Sequence, residues 1–180
     1  LASGGPFLSD GEHPARVAKD YSFASTVPVD VFPTGTCFGC QGLEIVAGNQ
    51  VLSVNLVTGL VLPVAFAPFG YSDGFTSVAD FDLDGDLDAI VQGQKSGQNT
   101  AYVWDIQTNS ILREFPLYNN WSEGASRINI ADLDGDSLPD LTFVGHPWLY
   151  ALRNDMSVLW ADSINDPSFI TVTSVFDFFG

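Results

Sequence analysis

Two stretches of nine residues carry aspartate at the same four offsets. Residues 80–88, here called loop A, and residues 132–140, here called loop B, have aspartate at positions 1, 3, 5 and 9. These residues are Asp80, Asp82, Asp84 and Asp88 in loop A, and Asp132, Asp134, Asp136 and Asp140 in loop B. Calcium takes about six to eight oxygen ligands, and alternating carboxylates in a tight loop can surround it. The spacing therefore predicts two Ca²⁺ sites.

The crowding of negative charge supports a cation in each loop. Nine of the 22 acidic residues of the chain fall in these two loops. Carboxylates packed so closely repel one another unless a cation lies among them. The competing interpretation is a pair of solvated turns, in which Asp and Gly are common. Such turns do not require four acids at fixed offsets in two places.

An EF-hand loop begins with the same acidic spacing, but the flanking sequence does not fit one. An EF-hand needs an acidic residue at position 12 and a helix on each side. Position 12 is Val91 after loop A and Phe143 after loop B. Short β-like runs, residues 76–79 and 128–131, lead into the loops. We therefore expect both loops to connect β-strands.

The two loops belong to a longer repeat. Aspartates that each follow a short β-like run lie 50, 52 and 45 residues apart, at Asp30, Asp80, Asp132 and Asp177. After the first three of these come a buried-looking run, an alternating run, a turn and a fourth run, which predicts four antiparallel strands per unit. A single small sheet cannot bury both faces and must stack on its neighbours, so units of this period are typical of propeller blades. A tandem array of unrelated hairpins is the alternative.

We therefore predict an all-β fold with almost no helix, organised as a partial β-propeller over residues 1–180. The repeats fall at about residues 25–70, 71–120 and 121–167, and a further repeat starts at 168–180. Closed propellers have about four to eight blades. Three blades and the start of a fourth predict a fragment, whose remaining blades belong to a longer parent chain.

The loops, together with the β-like runs on both flanks and the last acid at position 9, resemble the calcium loops of FG-GAP/VCBS repeats. These repeats build the propellers of integrin α-chains and of many bacterial surface proteins, and the resemblance covers most of the chain. It implies side-chain ligation by the eight aspartates at positions 1, 3, 5 and 9. It also implies a main-chain carbonyl ligand at position 7, from Asp86 in loop A and Leu138 in loop B.

The first repeat departs from this pattern. Between Asp30 and Glu44 the sequence is longer and has no acid, so we expect no calcium there. Cys37 and Cys40 form a Cys-x-x-Cys in this stretch, which is compatible with a local disulfide, half a zinc site or a redox centre. There is no second cysteine pair, and nearby Gly, Pro and Thr argue against the helix that a redox centre requires. We favour a disulfide that staples the loop, with free thiols as the alternative.

Charge and composition restrict the partners. The formal charge of −16 repels phosphate backbones and anionic lipid surfaces, which argues against nucleic acid. No apolar run is long enough for a membrane helix, so we expect no membrane insertion of this segment. We expect any export signal to have been removed or to lie outside this sequence.

These features favour a secreted or cell-surface module in which calcium is structural. An ion that binds the folded array adds its binding free energy to folding. The resemblance implies adhesion or interaction with a protein or glycan ligand at the cell surface, rather than catalysis. The alternatives are a lectin and a polysaccharide lyase-like enzyme, although six Lys and Arg residues supply few bases for a sugar-acid cleft.

Overall fold

The computed structural model describes six ranges of the chain. These are residues 26–32, 42–55, 57–117, 126–145, 147–165 and 173–175. Across them the chain forms twelve β-strands and no helix. In this described part of the chain, no helix is long and apolar enough to cross a membrane. The predicted all-β class is confirmed.

The strands form three antiparallel sheets of four, each made of strands that are consecutive in the chain. Sheet I contains β1 (Thr26–Val29), β2 (Glu44–Ala47), β3 (Gln50–Val54) and β4 (Val61–Phe66). Sheet II contains β5 (Phe75–Ala79), β6 (Asp88–Lys95), β7 (Gln98–Asp105) and β8 (Ser110–Pro116). Sheet III contains β9 (Asn129–Ala131), β10 (Asp140–Gly145), β11 (Trp148–Leu152) and β12 (Val158–Ser163). The predicted four-stranded antiparallel units are therefore present.

The three sheets share an irregularity at one position. The pairing of the third strand with the fourth shifts register between Val51 and Leu52, between Val103 and Trp104, and between Ala151 and Leu152. Leu52, Trp104 and Leu152 each pair with the residue that directly follows the first residue of the second strand. A bulge increases the local twist of a strand. Its recurrence at one repeat position indicates that the sheets are copies of one structural unit.

Sheet II is buried on both faces, and successive residues of its central strands face different neighbours. On β6, Ala89 and Val91 belong to a hydrophobic cluster with sheet I, whereas Ile90 between them belongs to a cluster with sheet III. On β7, Tyr102 and Trp104 lie in the cluster with sheet I. Side chains alternate across a strand with period two. The sheets are therefore stacked face to face, with sheet II in the middle.

Hydrogen bonds between neighbouring sheets also repeat. The Ser77 hydroxyl donates to the Ile128 carbonyl oxygen, which links β5 to the residue before β9. Asn129 stands at the repeat position of Ser77, and its side-chain amide donates to the Thr173 carbonyl oxygen. Thr173 stands at the repeat position of Ile128. The hydrogen bond between sheet III and segment 173–175 therefore repeats the one between sheets II and III.

Glycine permits the backbone before β5 to lie close to sheet I and to strand β6. A Cβ atom on Gly48, after β2, would lie 2.5 Å from the Asp73 Cα atom, and Gly48 also has a φ of 59°. A Cβ atom on Gly74 would lie 2.0 Å from the Gln92 carbonyl oxygen. Real side chains do not tolerate such distances. The backbone before β5 can therefore pack against its neighbours only with glycine at these positions.

Candidate metal centres

Loops A and B both connect the first strand of a sheet to the second. Loop A begins directly after β5 and ends on the first residue of β6, and loop B stands in the same relation to β9 and β10. No helix flanks either loop within the described residues. The expectation that both loops join β-strands is confirmed.

The carboxylate at position 9 closes each loop. It accepts a hydrogen bond from the backbone N–H of position 2, which brings the end of the loop back to its start. The pairs are Phe81 N to Asp88 Oδ2 at 2.9 Å and Leu133 N to Asp140 Oδ2 at 2.9 Å. Asp88 and Asp140 are buried. A buried carboxylate needs such donors.

Further backbone N–H groups turn inward to the aspartates at positions 1 and 5. Position 6 donates to position 1 in both loops: Gly85 N to Asp80 Oδ2 at 3.1 Å, and Ser137 N to Asp132 Oδ2 at 3.0 Å. Position 7 donates to position 5 in both loops: Asp86 N to Asp84 Oδ1 at 2.9 Å, and Leu138 N to Asp136 Oδ1 at 2.8 Å. The two loops therefore share three backbone-to-carboxylate hydrogen bonds as well as one spacing.

Positions 4 and 6 of both loops have left-handed backbone conformation. The φ angles are 63° for Leu83, 99° for Gly85, 84° for Gly135 and 70° for Ser137. Each loop thus has glycine at one of the two positions and an L-residue at the other. A Cβ atom on either glycine would meet nothing within 4 Å. Glycine is favoured at these positions by backbone conformation and not by a lack of space.

Three carboxylates converge in each loop. Carboxylate oxygens of Asp80, Asp82 and Asp88 lie within 4.8 Å of one another in loop A, and those of Asp132, Asp134 and Asp136 do so in loop B. The predicted ligands outside these clusters are Asp84, Asp86, Leu138 and Asp140. Asp80 Oδ1 is buried and has no hydrogen-bond partner among the residues that the structure describes. A buried oxygen without a donor, beside two further carboxylates, fits a bound cation.

The electrostatics of loop A also favour a cation. Burial is the main cause that raises the pKa of Asp88 from 3.8 to about 7; the Phe81 N–H acts against it, and the carboxylates of Asp82, Asp105 and Asp84 act with it. Without a metal, the Asp88 carboxyl group is partly protonated near neutral pH. A divalent cation would take the place of that proton.

Loop B has a neighbour that loop A lacks. Arg153 Nε lies 2.9 Å from Asp134 Oδ2 and forms an ion pair with it. The next residue, Asn154, donates its backbone N–H to Asp140 Oδ1 at 3.1 Å, so both oxygens of Asp140 accept backbone N–H groups. Arg153 and Asn154 follow β11, and nothing in the acidic spacing indicated their role. To find these two residues from sequence, the third strands of the three repeats would have to be aligned.

The first repeat keeps the hydrogen bond that closes loops A and B, although it has no acid between Asp30 and Glu44. Glu44 is fully buried, and its Oε2 accepts a hydrogen bond from Val31 N at 3.2 Å. Val31 follows Asp30 as Phe81 follows Asp80, so this is the bond from position 2 to position 9. Glu44 Oε1 has no hydrogen-bond partner among the described residues, and burial raises the pKa of Glu44. The acid at position 9 therefore has a structural role of its own.

Some predicted features lie outside the described residues. These are the disulfide between Cys37 and Cys40 and the acidic start of a further repeat at Asp177. The absence of calcium from the first repeat stays a prediction, because residues 33–41 of that loop are not described.

Comparisons with known proteins do not show a family for this chain. No family model matches the chain, and no curated protein matches it significantly. Among solved structures, the chain is similar to the crystal structure of the V. cholerae biofilm matrix protein Bap1, with a TM-score of 0.47 and 20% sequence identity. The likeness covers 79% of this chain, which spans about a fifth (20%) of the length of that protein. The chemistry of the acidic loops is therefore the basis for assigning a function.

Proposed function

We propose that this chain is part of a calcium-stabilised, extracellular β-propeller that mediates adhesion or interaction with protein or glycan ligands at the cell surface. Sheets I, II and III would be three of its blades. The observation that carries the proposal is the oxygen Asp80 Oδ1, which lies buried inside a cluster of three carboxylates and has no hydrogen-bond donor in the described part of the chain. A structural cation is the simplest partner for it.

The ligand chemistry supports calcium over other metals. The clustered groups of both loops are carboxylates. Zinc in proteins prefers Cys and His, and magnesium requires a near-ideal octahedron and keeps several waters. Calcium accepts irregular sets of oxygens from carboxylates, main-chain carbonyls and water. Asp84, Asp140, Asp86 and Leu138 would complete the two shells through side-chain or main-chain oxygens.

Three features support a propeller. Sheet II is buried on both faces, the strand bulge recurs at one repeat position, and the hydrogen bond from Ser77 to Ile128 recurs between Asn129 and Thr173. Each new sheet buries one face of the sheet before it. A stack that grows in this way leaves a face at each end, which further blades of the parent chain would cover.

Location and role follow from charge and surface. Calcium is millimolar outside cells, where both loops would be filled. Phe69 is fully exposed at 105% relative accessibility, and Phe66 on the edge strand β4 is 55% exposed. These two side chains are available to contact a ligand. We assign the acids to cation binding and propose no catalytic role for them.

Calorimetric titration and thermal unfolding test the calcium assignment. Titration of chelator-treated protein with CaCl₂ should give about two sites, and calcium should raise the melting temperature relative to EGTA. The double variant Asp82→Ala/Asp136→Ala should lose most of this uptake. Asp162→Asn, which alters an exposed acid on β12 away from the loops, is the matched control. Unchanged unfolding in EGTA and in calcium would refute a structural role for the ion.

The interaction role needs its own assay. Chain immobilised on beads should bind cell-surface protein extracts or a glycan array in calcium and lose that binding in EGTA. Phe69→Ala should weaken binding if the exposed aromatic group contacts the ligand. Capture of neither proteins nor glycans in calcium would remove adhesion from the proposal while leaving the calcium sites intact.

A further inference from the structure

The register of the sheets places Asp105 and Arg153 at one repeat position, beside loops A and B. The pairs that fix this register are Ala89 with Trp104 in sheet II and Leu141 with Leu152 in sheet III. Asp105 directly follows Trp104, and Arg153 directly follows Leu152. Asp105 pairs with Asp88, position 9 of loop A. The same place beside loop B is taken by a residue of opposite charge.

Arg153 is held in this place by its own turn. Its backbone N–H donates to the Ser157 carbonyl oxygen at 2.9 Å, and its carbonyl accepts from Met156 N at 2.8 Å. From there the guanidinium reaches Asp134, with Nε 2.9 Å from Oδ2. The two side chains are 41% and 24% exposed, so the ion pair faces solvent and can open. Asp134 is one of the three converging carboxylates of loop B.

Asp105 has the opposite effect beside loop A. Its carboxylate accepts the Thr108 N–H at 2.9 Å, which fixes it in the turn after β7. It pairs across the sheet with Asp88, the last acid of loop A, so the two residues lie side by side on neighbouring strands. Loop A therefore has five acids with Asp105 beside them, whereas loop B has four acids with the Arg153 guanidinium beside them, and the exposed acid Asp155 also lies near Arg153. Among the described residues, no carboxylate of loop A forms an ion pair.

We propose that the two loops bind calcium with unequal affinity, loop A tightly and loop B weakly, and that Arg153 sets the difference. This inference rests on the proposed function, in which both loops bind calcium. To bind a cation, loop B must release Asp134 from Arg153, whose positive charge then remains beside a divalent ion. Loop A has no such competitor, and Asp105 adds to the attraction. The blades therefore fill in sequence as calcium rises.

Coulomb's law gives the size of the effect. A unit charge several Å from a divalent ion, screened almost as in water, changes the affinity by about tenfold. Removal of the Arg153 charge should therefore tighten loop B by about tenfold. Salt weakens the effect, because interactions between exposed charges are screened within about 8 to 10 Å at physiological ionic strength.

Titration of loop B alone tests the inference. Asp82→Ala disables loop A, so that calorimetry with CaCl₂ reports on loop B. Adding Arg153→Gln to this variant should lower the dissociation constant by about tenfold. Arg127→Gln is the matched control, since it removes the same charge from an exposed arginine five residues before loop B and should change the constant by less than about twofold. Conversely, Asp105→Asn should weaken loop A when loop B is disabled by Asp136→Ala.

Thermal unfolding gives a second readout that a merely structural ion pair would not produce. In EGTA, Arg153→Gln should lower the melting temperature, because the acids of loop B lose their only compensating charge among the described residues. In calcium it should leave the melting temperature unchanged or raise it. A structural role alone would lower it in both conditions.

The outcomes separate this inference from the proposed function. Wild-type protein that takes up no calcium would refute both. Two sites of equal affinity, or a loop B constant that Arg153→Gln leaves unchanged, would overturn the role of Arg153 while the calcium assignment stood. A tightening by Arg127→Gln as large as that by Arg153→Gln would reduce the effect to net charge and would also overturn it.

Discussion

Asn154 of sheet III donates its side-chain amide to the carbonyl oxygen of Phe81 in loop A, at 2.8 Å. The same amide nitrogen lies 3.2 Å from the Pro139 carbonyl oxygen of loop B, and the Asn154 backbone N–H bonds to Asp140. One side chain thus connects the two candidate metal centres across the interface of sheets II and III. Phe81 itself is buried in the cluster between these sheets. The two candidate metal centres therefore share one hydrogen-bonding residue.

Replacing Asn154 tests this connection. Asn154→Ala leaves two carbonyl oxygens without their donor, and each lost bond of this kind costs about 1 kcal/mol. We expect the free energy of unfolding to fall by about 1–2 kcal/mol in urea titrations. Ser157→Ala, on the exposed side of the same turn, should cost less than about 0.5 kcal/mol. Equal losses for the two variants would show that the bridge to Phe81 contributes nothing.

The left-handed positions of the loops give a prediction about backbone. Gly85 has a φ of 99° and open space around it, so Gly85→Ala should destabilise the protein by about 1 kcal/mol through conformation alone. Leu83 already has a left-handed φ of 63°, so the wild-type protein carries this strain at position 4. Leu83→Gly should therefore not destabilise the protein. Thermal unfolding in EGTA measures both changes. A loss of stability in Leu83→Gly would mean that the leucine side chain, not the backbone, matters at position 4.

Sequence alone could predict the parts of this fold that depend on local spacing. The acids of loops A and B, the β-like runs that flank them and the period of the repeat all lie within short segments, so the four-stranded units and the loop positions followed from pattern. The role of Asp105 and Arg153 depends on strand register across a sheet. The bond from Asn154 to Phe81 joins residues 73 positions apart. Such contacts appear only when the sheets are stacked.

The buried acid Asp88 predicts how the metal-free protein responds to pH. Its pKa in the folded protein is about 7, against 3.8 as the ordinary value, so folding favours the protonated form. This contribution is fully present below about pH 3.8 and is lost as pH rises through about 7, and it is on the order of a few kcal/mol. In EGTA, the free energy of unfolding should therefore fall between about pH 4 and pH 7. Asp88→Asn, which cannot ionise, should flatten the curve.

In calcium, the free energy of unfolding should instead rise over the same pH range. Because the ion binds the ionised carboxylate, protons and calcium compete for Asp88, and calcium affinity should fall as the pH is lowered from about 7 to 5. Binding at neutral pH should release protons, which calorimetry detects as a heat that varies with the ionisation enthalpy of the buffer. A heat that is the same in all buffers would show that Asp88 is already ionised before calcium binds.

Variants of Glu44 test the structural role of the acid at position 9 separately from a role as a metal ligand. Its Oε2 accepts the Val31 N–H, whereas its Oε1 is buried without a partner among the described residues. Glu44→Gln keeps an acceptor oxygen and removes the charge that burial disfavours, so it should stabilise the protein at pH 7. Glu44→Ala loses the acceptor as well and should cost about 1–3 kcal/mol. Urea unfolding at pH 7 with and without calcium measures both, and the effect of calcium should be the same in Glu44→Gln as in the wild type. A calcium response that Glu44→Gln reduces would mean that the first repeat also holds an ion, contrary to its sequence.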